Sequence, residues 1–162
     1  MSVQAQRDPA AVAADTMTLA SLASDTNLVA GRESTAVHHT TEIDSLIQVS
    51  IMTGTTPTTG KVIEIWAYAS LDGTNFTGSA TGADANLTPS EKSLMVLLGQ
   101  MVVDGTSNKA YTSRVYSMAQ AFGGTLPEYT GIYVVQNTGA ALNATGGNHF
   151  VKRVKVNYKS TP

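Results

Sequence analysis

The sequence predicts an all-β domain: a two-sheet antiparallel β-sandwich of about eight strands, preceded by an extended N-terminal arm. Three observations lead there. Glu42–Met52 and Lys61–Leu71 alternate in character with a period of two, which places successive side chains on opposite faces of a strand. Turn-forming clusters recur at short intervals: Thr53–Gly60, Asp72-Gly73, Asp104–Asn108, Gly123–Tyr129 and Thr138-Gly139. No segment carries a long helical periodicity. Short strands at that spacing describe a sandwich or a barrel.

Taken in order, residues 1–15 read as an arm outside a domain of 16–162. Ala10–Ala14 is long enough for one helical turn, which is marginal on its own in water. Thr16–Leu22 and Arg32–His38 read as short strands. In Glu42–Met52, Ile43, Ile47, Val49 and Ile51 share a face with Ser45; Glu42, Asp44, Gln48 and Ser50 share the other with Leu46 and Met52. In Lys61–Leu71, Ile63, Ile65, Ala67, Ala69 and Leu71 point inward. Trp66, the only tryptophan, and Tyr68 then point outward onto solvent, a loop or a partner.

Asp72-Gly73 marks a hairpin-type turn, with Asn75-Phe76-Thr77 beginning the return. Gly78–Asn86 is a loop of small residues. Thr88, Pro89 and Glu91 have the spacing of a capping box, yet Leu94–Val103 is too continuously apolar for a surface helix and contains Gly99. The reading is one turn followed by a buried strand, with Thr112–Phe122 returning as its partner. Ile132–Asn137 is a core strand. Phe150–Tyr158 closes the domain, with Phe150, Val154, Val156 and Tyr158 on one face and Val151, Arg153, Lys155 and Asn157 on the other.

The chain of 162 residues suits one domain. Charged residues make up 14%, against roughly 25% in an average soluble domain. Hydroxyls and amides keep such a surface soluble, or partners cover it, since sparse charge lowers the desolvation cost of assembly. A net charge of −2 gives no electrostatic drive towards nucleic acid. The absence of cysteine excludes disulfides, thiolate nucleophiles and Cys-ligated metal, and favours a reducing site of synthesis. Arg7, Asp8 and Pro9 interrupt any signal-peptide pattern, and no stretch reaches the roughly 20 apolar residues of a membrane span. Synthesis in a cytoplasm, with no membrane partner, is the expectation.

Motifs for chemistry are scarce. His38-His39 with Glu42 invites comparison with the metal site of cupins, but adjacent residues on a strand face opposite ways and cannot share an ion. The histidines, His149 included, read as surface or loop residues. Neither GxSxG nor GxxxxGK[ST] occurs, and Asp72, Asp84 and Asp104 sit beside turns that they stabilise. No catalytic residue, cofactor or metal is assigned, and the chain is expected not to be an enzyme. Sequons at Asn75, Asn86 and Asn143 reflect turn preference in a Thr-rich chain.

Five residues are candidates for partner contact: Trp66, Tyr68, Tyr129, Arg153 and Lys155. Trp66 and Tyr68 could stack on sugar rings, anchor a protein interface, or pack under a loop, which is the default for such residues. The run Val151–Lys159 holds four of the ten basic residues. It either meets an acidic partner or forms an edge strand on which Lys discourages aggregation.

The order of elements carries a resemblance. "SLDGTNF" after the Lys61–Leu71 strand, then "LLGQMVVDGTSNKAYTSRVYSMAQAFGGTLPEY" and "IYVVQNTGAALNATGGNHFVKRVKVNY", together resemble the small virion structural proteins of tailed bacteriophages that decorate or cement capsids. The matching traits are the "FGGTLPEY" segment before a Val-rich strand, the "QNTGAAL" turn after it, and the Thr/Ala/Gly-rich, Cys-free composition, over about residues 40–158. The resemblance implies a jelly-roll-like sandwich on the capsid surface of a virion, made in the bacterial host cytoplasm. It also implies a dimer or trimer that bridges subunits of the major capsid protein, with no catalytic residues. The alternatives are a carbohydrate-binding module with Trp66 and Tyr68 as its platform, in a receptor-binding or tail-associated device, and, with least support, a small β-fold enzyme.

Overall fold

A computed structural model describes residues 2–161, which form two antiparallel sheets packed face to face. In chain order the strands are β1 (Ser2–Ala14), β2 (Gly31–Glu33), β3 (Val37–His38), β4 (Asp44–Met52), β5 (Val62–Ser70), β6 (Ala85–Leu87), β7 (Val96–Val102), β8 (Ala110–Thr112), β9 (Tyr116–Ser117), β10 (Tyr129–Gln136) and β11 (Phe150–Thr161). One four-residue helix, α1 (Met118–Ala121), follows β9. The first sheet runs β1-β11-β4-β8, with β9 also on β4; the second runs β6-β2-β10-β5-β7, with β3 also on β10.

The eleven segments occupy eight sandwich positions plus the added edge strand β6. β2 and β3 are pieces of one broken strand along β10, and β8 and β9 are pieces of another along β4. Counted so, the first position pairs with the eighth, the second with the seventh, the third with the sixth and the fourth with the fifth. That is the wrapped double hairpin of a jelly roll.

The alternation of β4 holds: Ile47, Val49 and Ile51 meet Ile63, Ile65, Ala67, Ile132, Val134 and Val151 between the sheets, and Ser45 lies buried on the same face. β10 is apolar almost throughout because both its faces are covered, Ile132 and Val134 by the first sheet and Tyr133 and Val135 by a second apolar cluster outside. Gly131 stands opposite Tyr68 on β5, where any Cβ would strike the tyrosine ring, so the ring lies flat across the glycine.

Several sequence expectations need correction. Thr16–Leu22 is not a strand: its polar groups bond locally and to a loop, with Thr18 N donating to Asp84 Oδ1 at 2.9 Å and Leu22 N to Leu19 O at 3.1 Å. Leu19 is driven into the core, with Met17 and Leu22 partly buried against it. Asp72-Gly73 does not make a hairpin. The Asp72 carboxylate accepts from Thr74 N and Asn75 N, each at 2.8 Å, and this local turn sends the chain over the outer face of β5 into a 3₁₀ turn at Thr77–Ser79. β5 ends at Ser70, so Leu71 is 79% exposed rather than inward. Thr112–Phe122 does not return beside β7; its strand pieces cross to β4 in the other sheet, and the segment ends in α1. β7 is an edge strand with Leu97 and Val102 exposed.

The N-terminal segment is extended but not free. β1 pairs with β11 from Ser2↔Thr161 to Ala14↔Lys152, with a register shift between Arg7 and Val12. β4 leaves β11 at Val156↔Asp44, so residues 2–6 and 157–161 continue as a two-stranded ribbon past the sheet. Over Phe150–Val156 β11 is therefore an interior strand, and the protected-edge reading falls for Lys152 and Lys155.

Candidate functional site

The two outer sheet faces differ in what covers them. Outside the second sheet, Tyr68, Tyr133, Val135 and Trp66 are packed beneath Phe76, Ala80, Leu87 and Met95, all from the chain between β5 and β7. Tyr68 is fully buried and its hydroxyl donates to Ser34 O. Burial first, then the nearby Glu33 carboxylate, pushes the phenol pKa up, so it stays a neutral donor. Trp66 is half-buried: Nε1 donates to Glu64 Oε2 at 2.9 Å, and Lys92 Nζ sits 4.5 Å from the ring centroid. Tyr68 is thus packed under a loop, the default reading, while Trp66 is covered by the same loop only in part.

Arg153 is a second correction. The inward face of β11 is the one carrying Val151 and Arg153, so the guanidinium, 1% exposed, lies between the sheets. Nε and Nη2 form a fork on Asp15, at 2.9 Å to Oδ1 and 2.7 Å to Oδ2, while Nη1 donates to Ser45 Oγ at 2.8 Å and Thr130 Oγ1 at 3.1 Å. His39 completes this polar layer, Nε2 lying 2.8 Å from Thr130 Oγ1 while buried Nδ1 has no partner. Burial, then the Arg153 charge, lowers the His39 pKa to about 4. The layer is closed to solvent and serves as the polar end of the core.

Tyr129 and Lys155 lie at the same end and are partly exposed. Tyr129 stacks on His38 with centroids 4.4 Å apart, and His38 Nε2 lies 3.1 Å from Glu128 Oε1. Lys155 pairs with Glu42. Burial opposes the Glu42 charge, but Lys155 and the Thr41 and Thr40 N–H groups outweigh it and hold its pKa at about 2. Among the described residues no three His, Asp or Glu converge as metal ligands, and no helix is long and apolar enough to cross a membrane.

Among the described residues no apolar cluster packs over the outer face of the first sheet. Val12, Val154 and Leu46 form one cross-strand row. Val156 follows, and then Tyr158 beside Ala5 and Val3 beside Ser160 on the ribbon. Val12, Val3 and Tyr158 are 56%, 64% and 65% exposed although all three sit in paired strand. Arg7, Lys152, Gln48 and Asp44 stand among and around them, an apolar centre within a polar rim. The even-numbered apolar set of β11 is visible in the sequence, which does not say whether that set faces the core or the outside. No protein-family model, curated protein or solved structure matches the chain.

Proposed function

We propose that this chain is a non-enzymatic virion structural protein of a tailed phage, of the capsid decoration type, which lays the open face of its first sheet on the lattice of the major capsid protein. One observation carries the reading. The chain covers one outer sheet face with its own loops, while Val3, Val12, Leu46, Val154, Val156 and Tyr158 remain on the other. Contiguous apolar surface rimmed by polar groups marks an interaction site. The sparse charge and the jelly-roll frame, which recurs in viral capsid proteins, fit the same role. Binding the assembled lattice more tightly than free subunits would stabilise the shell by mass action.

Co-sedimentation with cognate heads lacking the protein tests this. The native chain should pellet with heads. Tyr158→Ala should weaken binding by about tenfold or more, as loss of an aromatic anchor does. Leu71→Ala, at an exposed apolar residue outside this face, should leave binding unchanged. Failure of the native chain to pellet, or equal binding by Tyr158→Ala, overturns the assignment of this face.

A further inference from the structure

The four sheet edges are not alike. β8 and β9 are three and two residues long, and β6 is three. β7 is longer, but its ladder to β5 slips between Ile65 and Trp66, and Arg114 Nη2 donates to Leu98 O at 3.4 Å on its far side. Short, slipped or covered strands are how sheets avoid joining edge to edge. β1 breaks the pattern. It is thirteen residues long, it ends the sheet order, and among the described residues nothing pairs with its outer side. Residues 2–7 run in unbroken register, and Arg7 is the only charge among them. Roughly 20 Å of strand edge therefore lies open on a ribbon of two strands, which has little stability of its own in water.

We propose that the outer edge of β1 pairs antiparallel with β1 of a second copy, about a two-fold axis at Ala5. A strand meeting its own copy is antiparallel by symmetry, and the interface is isologous. Centring on Ala5 pairs residues 3–7, the last five of the run before the register shift. It sets Gln4 opposite Gln6 and Val3 opposite Arg7, so no like charges face each other. Ala5 meets its own copy, and Tyr158, the β11 partner of Ala5, flanks the seam on each side. The ribbon becomes four-stranded and gains the neighbours it lacks. Because the axis stands perpendicular to the sheet, both open faces point the same way. On a lattice of repeated sites, that pairing would add avidity.

The chain has no cysteine, so Ala5→Cys is a clean probe. At the axis the two Cβ atoms would lie about 4.5–5.5 Å apart, and mild oxidation should give a covalent dimer at least about tenfold faster than Thr125→Cys, on an exposed loop. Sedimentation at micromolar concentration should show the native chain as a dimer and Ala5→Glu, which sets two carboxylates face to face, as a folded monomer by circular dichroism. A native monomer, equal cross-linking rates, or a dimer that survives Ala5→Glu overturns the proposal. Cross-linking of Ala5→Cys only to another protein on particles overturns it too, because the edge then belongs to a lattice subunit. The capsid reading fails separately: a dimer that ignores heads sinks that reading alone, and a monomer that binds them sinks only this one.

Discussion

Arg153 shows how far one side chain can depart from its type. A cation between two sheets persists only when its charge and its donors are matched, and here each guanidinium nitrogen bonds to Asp15, Ser45 or Thr130. Arg153→Met leaves the Asp15 carboxylate buried without its partner. It should cost on the order of 3–5 kcal/mol in a urea titration, whereas Asp15→Leu combined with Arg153→Met should recover most of that loss. His39 in the same layer makes stability pH-dependent with a definite sign. The unfolded chain takes up this proton near pH 6.5, the folded chain only near 4. His39 therefore leaves stability intact above pH 6.5 and erodes it as pH falls from 6.5 towards 4. Its neighbour Glu42, held at about 2, adds a further loss below its ordinary 4.5. Replacing His39 with Gln should flatten the chemical-denaturation midpoint between pH 6.5 and 4.5. A slope equal to that of the native chain would show that another group titrates there.

At the scale of elements, the two ends of β1 do different work. Residues 2–6 belong to the ribbon beyond β4, while Ala14 leads into Asp15, whose N–H donates to Val151 O at 2.8 Å and whose carboxylate holds Arg153. Deleting residues 1–7 should lower the thermal midpoint by only a few degrees, since little besides β11 rests on them. Deleting residues 1–15 should destabilise by several kcal/mol, because it orphans the buried guanidinium. Equal midpoints for the two truncations would show that the polar layer contributes nothing. The expectation of an arm separable at residue 15 thus yields to a boundary inside β1. β5 and β10 show the converse. The faces of β5 were readable from alternation and β10 from its apolar run, yet what lay over Trp66 and Tyr68 depended on a loop whose small residues carry no periodic signal.

Across the whole molecule, the jelly roll joins the first strand to the last, Ser2 opposite Thr161, and nests the remaining pairs inside. Contacts so distant in sequence require closing long loops before they reward the chain. Refolding followed by Trp66 fluorescence should therefore be slow for a domain of this size, on timescales of about milliseconds to seconds. A microsecond phase carrying the full amplitude would show that local hairpins, not the wrapped topology, limit the rate. The same topology leaves β1 and the outer face of its sheet at the surface, where the proposed lattice contact and the proposed second copy both act.

The residue pattern alone determined that the chain is all-β, that β4, β5 and β10 form its centre, and where most turns fall. Alternation, Gly and Pro are local signals, and each acts within a few residues. The tertiary structure decided which face of β11 became core and which strand lay beside which. In β11 both alternating sets are compatible with a strand, since Val154, Val156 and Tyr158 look like core and Arg153 does not. Asp15, 138 positions away, reverses that choice by neutralising the guanidinium. No local pattern records a partner at that distance. For the same reason the open apolar face and the unpaired edge of β1 emerged only once the two sheets were laid together.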